Sequence, residues 1–269
     1  MGHGVVALTK SAVATPDLVE LARLEVEERV ADTFLEGAPV VATDAPVKLG
    51  LDELRRALHD LLGTMPPAED RGRPRLWVDR AFAARGAGTV VTGMLTDGVL
   101  RVGDKVEIQP AGMGARIRAL QNHHEEREEL PPGTRCALNL VGVAHTQVQR
   151  GDVVVGPGQW HLATVVDASL RVLDQLDHSV SRRGAHGAYL GAGEHPVRMR
   201  IVGPEALKQV REGSVRLFLP RSLPLVPGDR FVLRESGRSE TVGGGCVLDV
   251  DPRERASRAR PDRSVDRVV

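Results

Sequence analysis

A chain of 269 residues can hold one large domain or two to three small ones, and 41% hydrophobic against 27% charged residues is the balance of a folded protein. The 36 basic and 36 acidic residues cancel, so net charge names no partner. No run of about 18 uncharged apolar residues is present to span a membrane, no secretory signal pattern is evident, and two cysteines, Cys136 and Cys246, cannot build a disulfide framework or a four-thiolate metal site, which together predict a cytoplasmic protein.

Taken in chain order, Val5 to Leu8 is a short apolar run suited to a buried parallel strand. Thr15-Pro16-Asp17 then reads as a helix N-cap, a proline at the first helical position and an acid in the first turn, with Leu18, Ala22, Val26 and Val30 following at helical spacing. Pro39 to Thr43 is a second strand. Leu51, Leu54, Leu58, Leu61 and Leu62 form the stripe of a second helix that Gly63 can close. Thr64 to Arg75, TMPPAEDRGRPR, has the composition of a linker. Beyond it the period changes to two. Short runs around Val78, Val90, Val106–Ile108, Ile117, Leu138–Leu140 and Val153–Val155, then Leu170–Val172, Val197–Ile201, Val215–Leu219 and Phe231–Leu233, predict two small β-barrels or sandwiches divided near Pro157-Gly158. The charge divides at the linker: residues 1–70 carry 6 Lys/Arg against 13 Asp/Glu, and residues 71–269 carry 30 against 23.

The search for chemistry returns mostly exclusions. His123-His124 heads a Glu-rich stretch without a metal-binding spacing and reads as an exposed turn. No G-x-S-x-G elbow occurs. Gly86 and Gly88 are followed by an extended Thr-Val-Val-Thr run where a dinucleotide fingerprint would open a helix, so they read as turn glycines. The phosphate loop GxxxxGK[ST] is absent, and Asp60-Leu61-Leu62-Gly63 matches a switch motif by letters alone.

Several long segments carry a resemblance. LWVDRAF (76–82), RGAGTVVTGML (85–95), LRVGDKVEI (100–108), RIRALQ (116–121) and PGTRCALNLVGV (132–143) resemble the second domain of translational GTPases, above all the selenocysteine-specific elongation factors, relatives of elongation factor Tu. PGDRFVLRESGRSETVGGGCVLD (227–249) resembles the closing strands of that family's third domain, and LTKSAV (8–13) with PVVATDAPVKLGLDELR (39–55) resembles the last two β–α units of its GTPase domain. The resemblance implies a mainly β protein with an α/β remnant: residues 1–64 the end of a GTPase domain, 65–75 a linker, 76–157 and 158–250 two elongation factor Tu-like β-barrels, and 251–269 a basic tail. On this reading the chain is truncated at both ends relative to the family.

The same resemblance implies binding of selenocysteinyl-tRNA for delivery to the ribosome, with GTP and Mg²⁺ as the family's cofactors. Its guanine-binding positions fall on Thr9, Lys10, Ala12, Asp44 and Ala45, and they depart from the family: Ala12 stands where an aspartate accepts two hydrogen bonds from guanine, and Asp44-Ala45 replaces Ser-Ala, setting an acid toward the base O6. With no phosphate loop or switch motif either, no GTP binding or hydrolysis is expected from this chain alone. The selenocysteine pocket falls on Asp79, Arg80 and Arg135. Two guanidiniums there would favour an ionised selenol over the neutral hydroxyl of serine, with Asp79 either fixing an arginine or accepting from the α-ammonium; without the family, Asp79-Arg80 is an ordinary strand-end ion pair. Arg234, Arg238 and Gly243-Gly244-Gly245 fall on the tRNA-facing stretch of the third domain, where glycine-turn amides and arginines would meet phosphates, or else form a plain Gly-rich hairpin. The tail carries six arginines and three acids over 252–269 and is either an RNA contact or a solvated linker. No messenger RNA hairpin contact is expected, because the family's winged-helix domains have no counterpart here. Three rivals stand beside this reading: a non-productive fragment, a related factor for ordinary aminoacyl-tRNA, and a β-barrel protein-interaction module.

Overall fold

A computed structural model of the chain describes residues 3–86, 88–173, 176, 180, 185–202 and 212–253; the basic-tail expectation, apart from 251–253, lies outside them. The chain divides into two compact units, Met1–Pro67 and Ala68–Val269. Among the described residues no helix is long and apolar enough to cross a membrane.

In the first unit, strands β1 (Val6–Leu8) and β2 (Val40–Ala42) pair in parallel, Val6 beside Val40 and Leu8 beside Ala42. Helix α1 (Pro16–Val30) opens as the Thr15-Pro16-Asp17 triplet predicts and stops where Asp32 turns into the left-handed region. Helix α2 (Leu51–Thr64) runs through Gly63 and ends at Met65. Gly63 therefore does not close it; the Pro66-Pro67 pair does, because neither proline can donate to a further helical turn. Neither helix has a buried residue, and Leu18, Leu21, Leu24, Leu58 and Leu62 are all exposed.

The second unit holds two closed barrels. In the first, β3 (Arg75–Ala84), β4 (Gly88–Thr96), β6 (Lys105–Gln109), β7 (Met113–Asn122), β10 (Thr134–Val141) and β11 (Val153–Val155) close in the order β10-β4-β3-β11-β6-β7, the last pairing back to β10. The short β8 (Glu125–Arg127) extends β7, and β5 (Leu100–Arg101) pairs with β9 (Glu129–Leu130). Its core is aliphatic: Leu76, Val78, Val91, Leu95, Ile108, Ile117, Leu120 and Leu138 are at most 1% exposed, which is how a chain with 4 Phe, 2 Trp and 1 Tyr fills a barrel. The second barrel closes as β12 (Ala163–Val172), β15 (Glu212–Leu223), β14 (Gly193–Ile201), β13 (His186–Leu190), β16 (Arg230–Glu235) and β17 (Glu240–Val250).

The barrels share a core along β3 and β11. Val154 points into the first barrel, while Val153 and Val155 join Trp77 in the cluster built on Leu190, Leu223, Leu225 and Phe231 of the second. A strand buried on both faces has no polar alternate, which explains the unbroken Val153-Val154-Val155 run. Gly191 turns under the Trp77 ring at φ +54°, where a Cβ would lie 2.1 Å from the indole. Arg75, 4% exposed, clamps the seam. It reaches Asp97 at 3.0 Å, donates to both carboxylate oxygens of Asp229 at 2.7 Å and to the Pro224 carbonyl at 2.8 Å, and its guanidinium stacks 4.7 Å from the Trp160 ring centroid. Arg221 to Asp152 (2.8 Å) and Arg150 Nε to the Ala192 carbonyl (2.8 Å) add polar ties. On the wall of the second barrel a further pair is sealed off: Arg216 donates to both oxygens of Asp167 at 2.6 and 2.8 Å, with side chains 7% and 2% exposed.

His195, 1% exposed on β14, has no hydrogen-bond partner for Nε2. Burial, reinforced by the Arg221 charge and only weakly opposed by Glu194, pushes its imidazole down to about 4. The unfolded chain takes up a proton near pH 6.5 and the folded chain does not until near pH 4. Stability is therefore complete above pH 6.5 and declines as pH falls from 6.5 toward 4, by an amount on the order of 3 kcal/mol at the low end. Urea denaturation at pH 7 and pH 4.5 should show this loss, and His195→Phe should flatten it.

Candidate functional site

The first barrel brings together charged groups from three adjacent strands. β3 and β4 pair with Val78 opposite Gly93 and Arg80 opposite Thr92, so Asp79 is the extra residue of a β-bulge. A bulge of this kind re-aims a side chain out of the alternating pattern. Asp79 is thereby turned between β4 and β10: Oδ1 accepts a 2.5 Å hydrogen bond from the Thr92 hydroxyl, and Oδ2 accepts one from Nη1 of Arg135 on β10. Asn122 at the end of β7 donates to the Arg135 carbonyl at 2.8 Å, tying that position to a fourth strand. Burial raises the Asp79 carboxyl, but hydrogen bonds from Arg135 and Thr92 and the charges of Arg135 and Arg80 outweigh it and hold the group below the usual aspartate range. The hydrogen bond to Asp79, followed by the carboxylate's charge, shifts Arg135 the opposite way, up.

The three predicted residues are thus neighbours, and Asp79 fixes an arginine. The two guanidiniums differ. Arg135 is held by the carboxylate, whereas Arg80 is exposed and makes no hydrogen bond or ion pair among the described residues. Exposed Phe82 and Met94, 42% and 44% accessible, stand on the same strand pair, with Phe82 opposite Val90 and Met94 opposite Arg135. Cys136, the next residue on β10, points into the core at 4% exposure, and burial pushes its thiol up to about 12. Thr92 and Asn122 are members of the cluster that sequence reasoning missed. Thr92 lies in the Thr-Val-Val-Thr run, whose period-two pattern marks a strand but not which hydroxyl meets the bulge.

Elsewhere the arrangement departs from expectation. Gly243, Gly244 and Gly245 form no turn; they lie inside β17, beside Arg171–Val172 of β12 and Phe231–Leu233 of β16. A Cβ at Gly243 would lie 2.1 Å from the Arg171 carbonyl oxygen and one at Gly245 1.9 Å from that of Ser169, so these glycines permit close strand approach in a tight barrel. Arg234 is half-buried, donates to the Ser239 carbonyl at 2.6 Å and lies 5.9 Å from the Tyr189 ring centroid, while Arg238 is exposed in the β16–β17 connection. These residues and the Asp79 cluster belong to different barrels. His123 and His124 form the β7–β8 turn, both at positive φ, and among the described residues no group of three His, Cys, Asp or Glu is placed to hold a metal ion.

In the first unit the loops after β1 and β2 meet. The Ala12 amide donates to Asp44 Oδ2 at 3.2 Å, Ser11 N–H bonds the Thr43 carbonyl, and Asp44 is 6% exposed. Thr9, Lys10 and Ala45 are exposed. The donor set does not fit a guanine base: Ala12 offers no acceptor, and the one carboxylate nearby is turned onto a backbone amide.

The sequence of the chain matches known proteins along most of its length. Residues 88–155 match the family described as elongation factor Tu domain 2, and residues 163–254 match the β-barrel domain of the selenocysteine-specific elongation factor. A selenocysteine-specific elongation factor of Desulfomicrobium baculatum is 34% identical across 91% of this chain and 39% of its own length. Elongation factor Tu 2 of Streptomyces avermitilis is 32% identical across 93% of this chain and 67% of its own. The chain belongs to the selenocysteine-specific branch of the elongation factor Tu family. It spans about two fifths of the length of the selenocysteine-specific relatives it matches. The crystal structure of a bacterial selenocysteine-specific elongation factor shares the fold, with a TM-score of 0.81 at 24% identity over 94% of this chain and 40% of that one. A Methanococcus maripaludis relative, TM-score 0.79 at 20% identity over 93% of this chain and 59% of that one, was solved with the GTP analogue GPPNHP. The mainly β fold with two six-stranded barrels is that of elongation factor Tu domain 2 and of the β-barrel domain of the selenocysteine-specific factors.

Proposed function

We propose that this chain binds selenocysteinyl-tRNA, the cargo that its family delivers to the ribosome, and that the selenocysteine side chain is received beside Asp79, Arg80 and Arg135 of the first barrel. The observation that carries the reading is the bulged Asp79, which hydrogen-bonds Arg135 and leaves Arg80 within its field but without a hydrogen-bonded acidic partner among the described residues. A selenol is ionised at neutral pH and a serine hydroxyl is not. An incoming selenolate meets the Arg80 guanidinium, whose donors Asp79 does not take, and can draw on the outward N–H groups of Arg135, which is 55% exposed; seryl-tRNA brings no charge to either. The domain boundaries at 64, 75, 157 and 250 remain part of this reading, as does tRNA-arm contact by Arg234 and Arg238, whose donors suit phosphates without reading sequence. Gly243–Gly245 would then support that surface as strand residues.

GTP and Mg²⁺ belong to the parent family's cycle. Thr9, Lys10, Ala12, Asp44 and Ala45 do not fit the base, so this chain alone neither holds nor hydrolyses the nucleotide. The setting is cytoplasmic, and the messenger RNA hairpin is no partner of these domains. Equilibrium binding of selenocysteinyl-tRNA and deacylated tRNA to the purified chain tests the reading. Tighter binding of the aminoacylated form is expected, and equal or absent binding contradicts it.

A further inference from the structure

The Asp79 carboxylate has two guanidiniums within its field and two oxygens to offer, yet it engages only one of them. The Thr92 hydroxyl accounts for this asymmetry. Its 2.5 Å hydrogen bond to Oδ1 fixes the carboxylate plane and commits Oδ2 to Arg135. A carboxylate on a bulge rotates readily about its last side-chain bond, a broad, shallow torsion unless a partner fixes it. Without the hydroxyl, Oδ1 is left lacking a donor in a side chain that is 20% exposed. Arg80, the exposed cation directly opposite Thr92 in the strand register, is the group able to supply one. Both positive charges would then be tied to the same carboxylate.

We propose that Thr92 is a positioning residue for side-chain discrimination: by holding Asp79 on Arg135 it keeps Arg80 unpaired and available to an anionic ligand. This rests on the reading of the Asp79 cluster as the aminoacyl site. The hydroxyl needs no contact with the ligand. It divides the labour between two arginines, one fixed as structure and one kept as a receptor.

The test compares Thr92→Val, which keeps the shape and removes the donor, with Thr92→Ser, which keeps the donor. Thr92→Ala is carried alongside in case valine is not accommodated, and Arg80→Ala and Arg135→Ala report on the site itself. The ratio of selenocysteinyl- to seryl-tRNA affinity should fall roughly tenfold in Thr92→Val, affinity for deacylated tRNA should not change, and Thr92→Ser should restore the ratio. Independently of any tRNA, carboxyl-carbon NMR of Asp79 should show it titrating at lower pH in Thr92→Val, because the neutral hydroxyl donor is replaced by the Arg80 guanidinium, whose charge favours the ionised form more; titration at higher pH would show Oδ1 left without a donor and Arg80 not recruited, against the proposal. A merely structural role would move thermal stability but neither the ratio nor its rescue by serine. If Thr92→Val and Thr92→Ala keep the wild-type ratio while Arg80→Ala loses it, the proposal is overturned and the site reading stands. If Arg80→Ala and Arg135→Ala also keep the ratio, the site reading fails and the role of Thr92 fails with it.

Discussion

Replacing Arg75 with methionine should destabilise the barrel pair by roughly 3–5 kcal/mol, about 10 °C in thermal midpoint for a unit of this size. The side chain is buried, and its removal takes the paired cation from the Asp229 carboxylate and the donor from the Pro224 carbonyl, leaves Asp97 with the 3.5 Å contact to Arg71 and the Thr96 hydroxyl, and lifts the nearer of two cations off the Trp160 face. Lost attraction is the smaller part of this figure; an uncompensated charge left in a poorly hydrated place is the larger. Arg75→Lys should recover only part of the loss, because one ammonium cannot span two carboxylates and a carbonyl in the planar fork that the guanidinium provides. Chemical denaturation of the two variants beside wild type checks the order. Equal stability for Arg75→Met and wild type would mean that the seam is held by Trp77, Val153 and Val155 alone.

Asp167→Asn should cost a similar amount, again about 3–5 kcal/mol. It leaves the Arg216 guanidinium, 7% exposed, facing an amide that can accept through one oxygen and presents N–H groups at the other position. Buried ion pairs gain little over apolar packing of the same volume but cost much when half removed. Asp167→Leu combined with Arg216→Met should therefore be more stable than Asp167→Asn. Urea midpoints of the single and double variants decide this; a double variant less stable than the single would show that the pair itself adds net stability.

How much of this was legible in the sequence differs from element to element, for physical reasons. The helix over Pro16–Val30 was readable because Thr15, Pro16 and Asp17 act through local backbone chemistry. The strands were readable from period-two alternation, but the Val153–Val155 run, read as one more short strand of that set, departs from the alternation because it is buried on both faces between two cores. Gly63 misled because a helix stop depends on which signal acts, and here the proline pair after Met65 prevails. The Gly243–Gly245 run misled for a related reason: three glycines suit a turn or a crowded strand equally, and the Arg171 and Ser169 carbonyls that crowd them are more than 70 residues away in sequence. At the candidate site, the family resemblance pointed to Asp79, Arg80 and Arg135. The bulge that turns Asp79, the Thr92 hydroxyl that fixes it and the unequal state of the two arginines are matters of strand register, which no single strand's pattern encodes. The carboxylate of Asp44, expected to face a base, instead satisfies the Ala12 amide, a backbone partner invisible to motif reading.

On the proposed reading, an exposed arginine free of hydrogen-bonded acids, beside one held by a carboxylate, distinguishes an anionic from a neutral aminoacyl group. Its most direct measurement is the ratio of selenocysteinyl- to seryl-tRNA affinity for the purified chain and its Arg80→Ala variant. The wild-type ratio should be at least about ten, the scale of one charge-assisted hydrogen bond, and should collapse toward one when Arg80 is removed. A wild-type ratio near one, or a high ratio that survives Arg80→Ala, would contradict that reading.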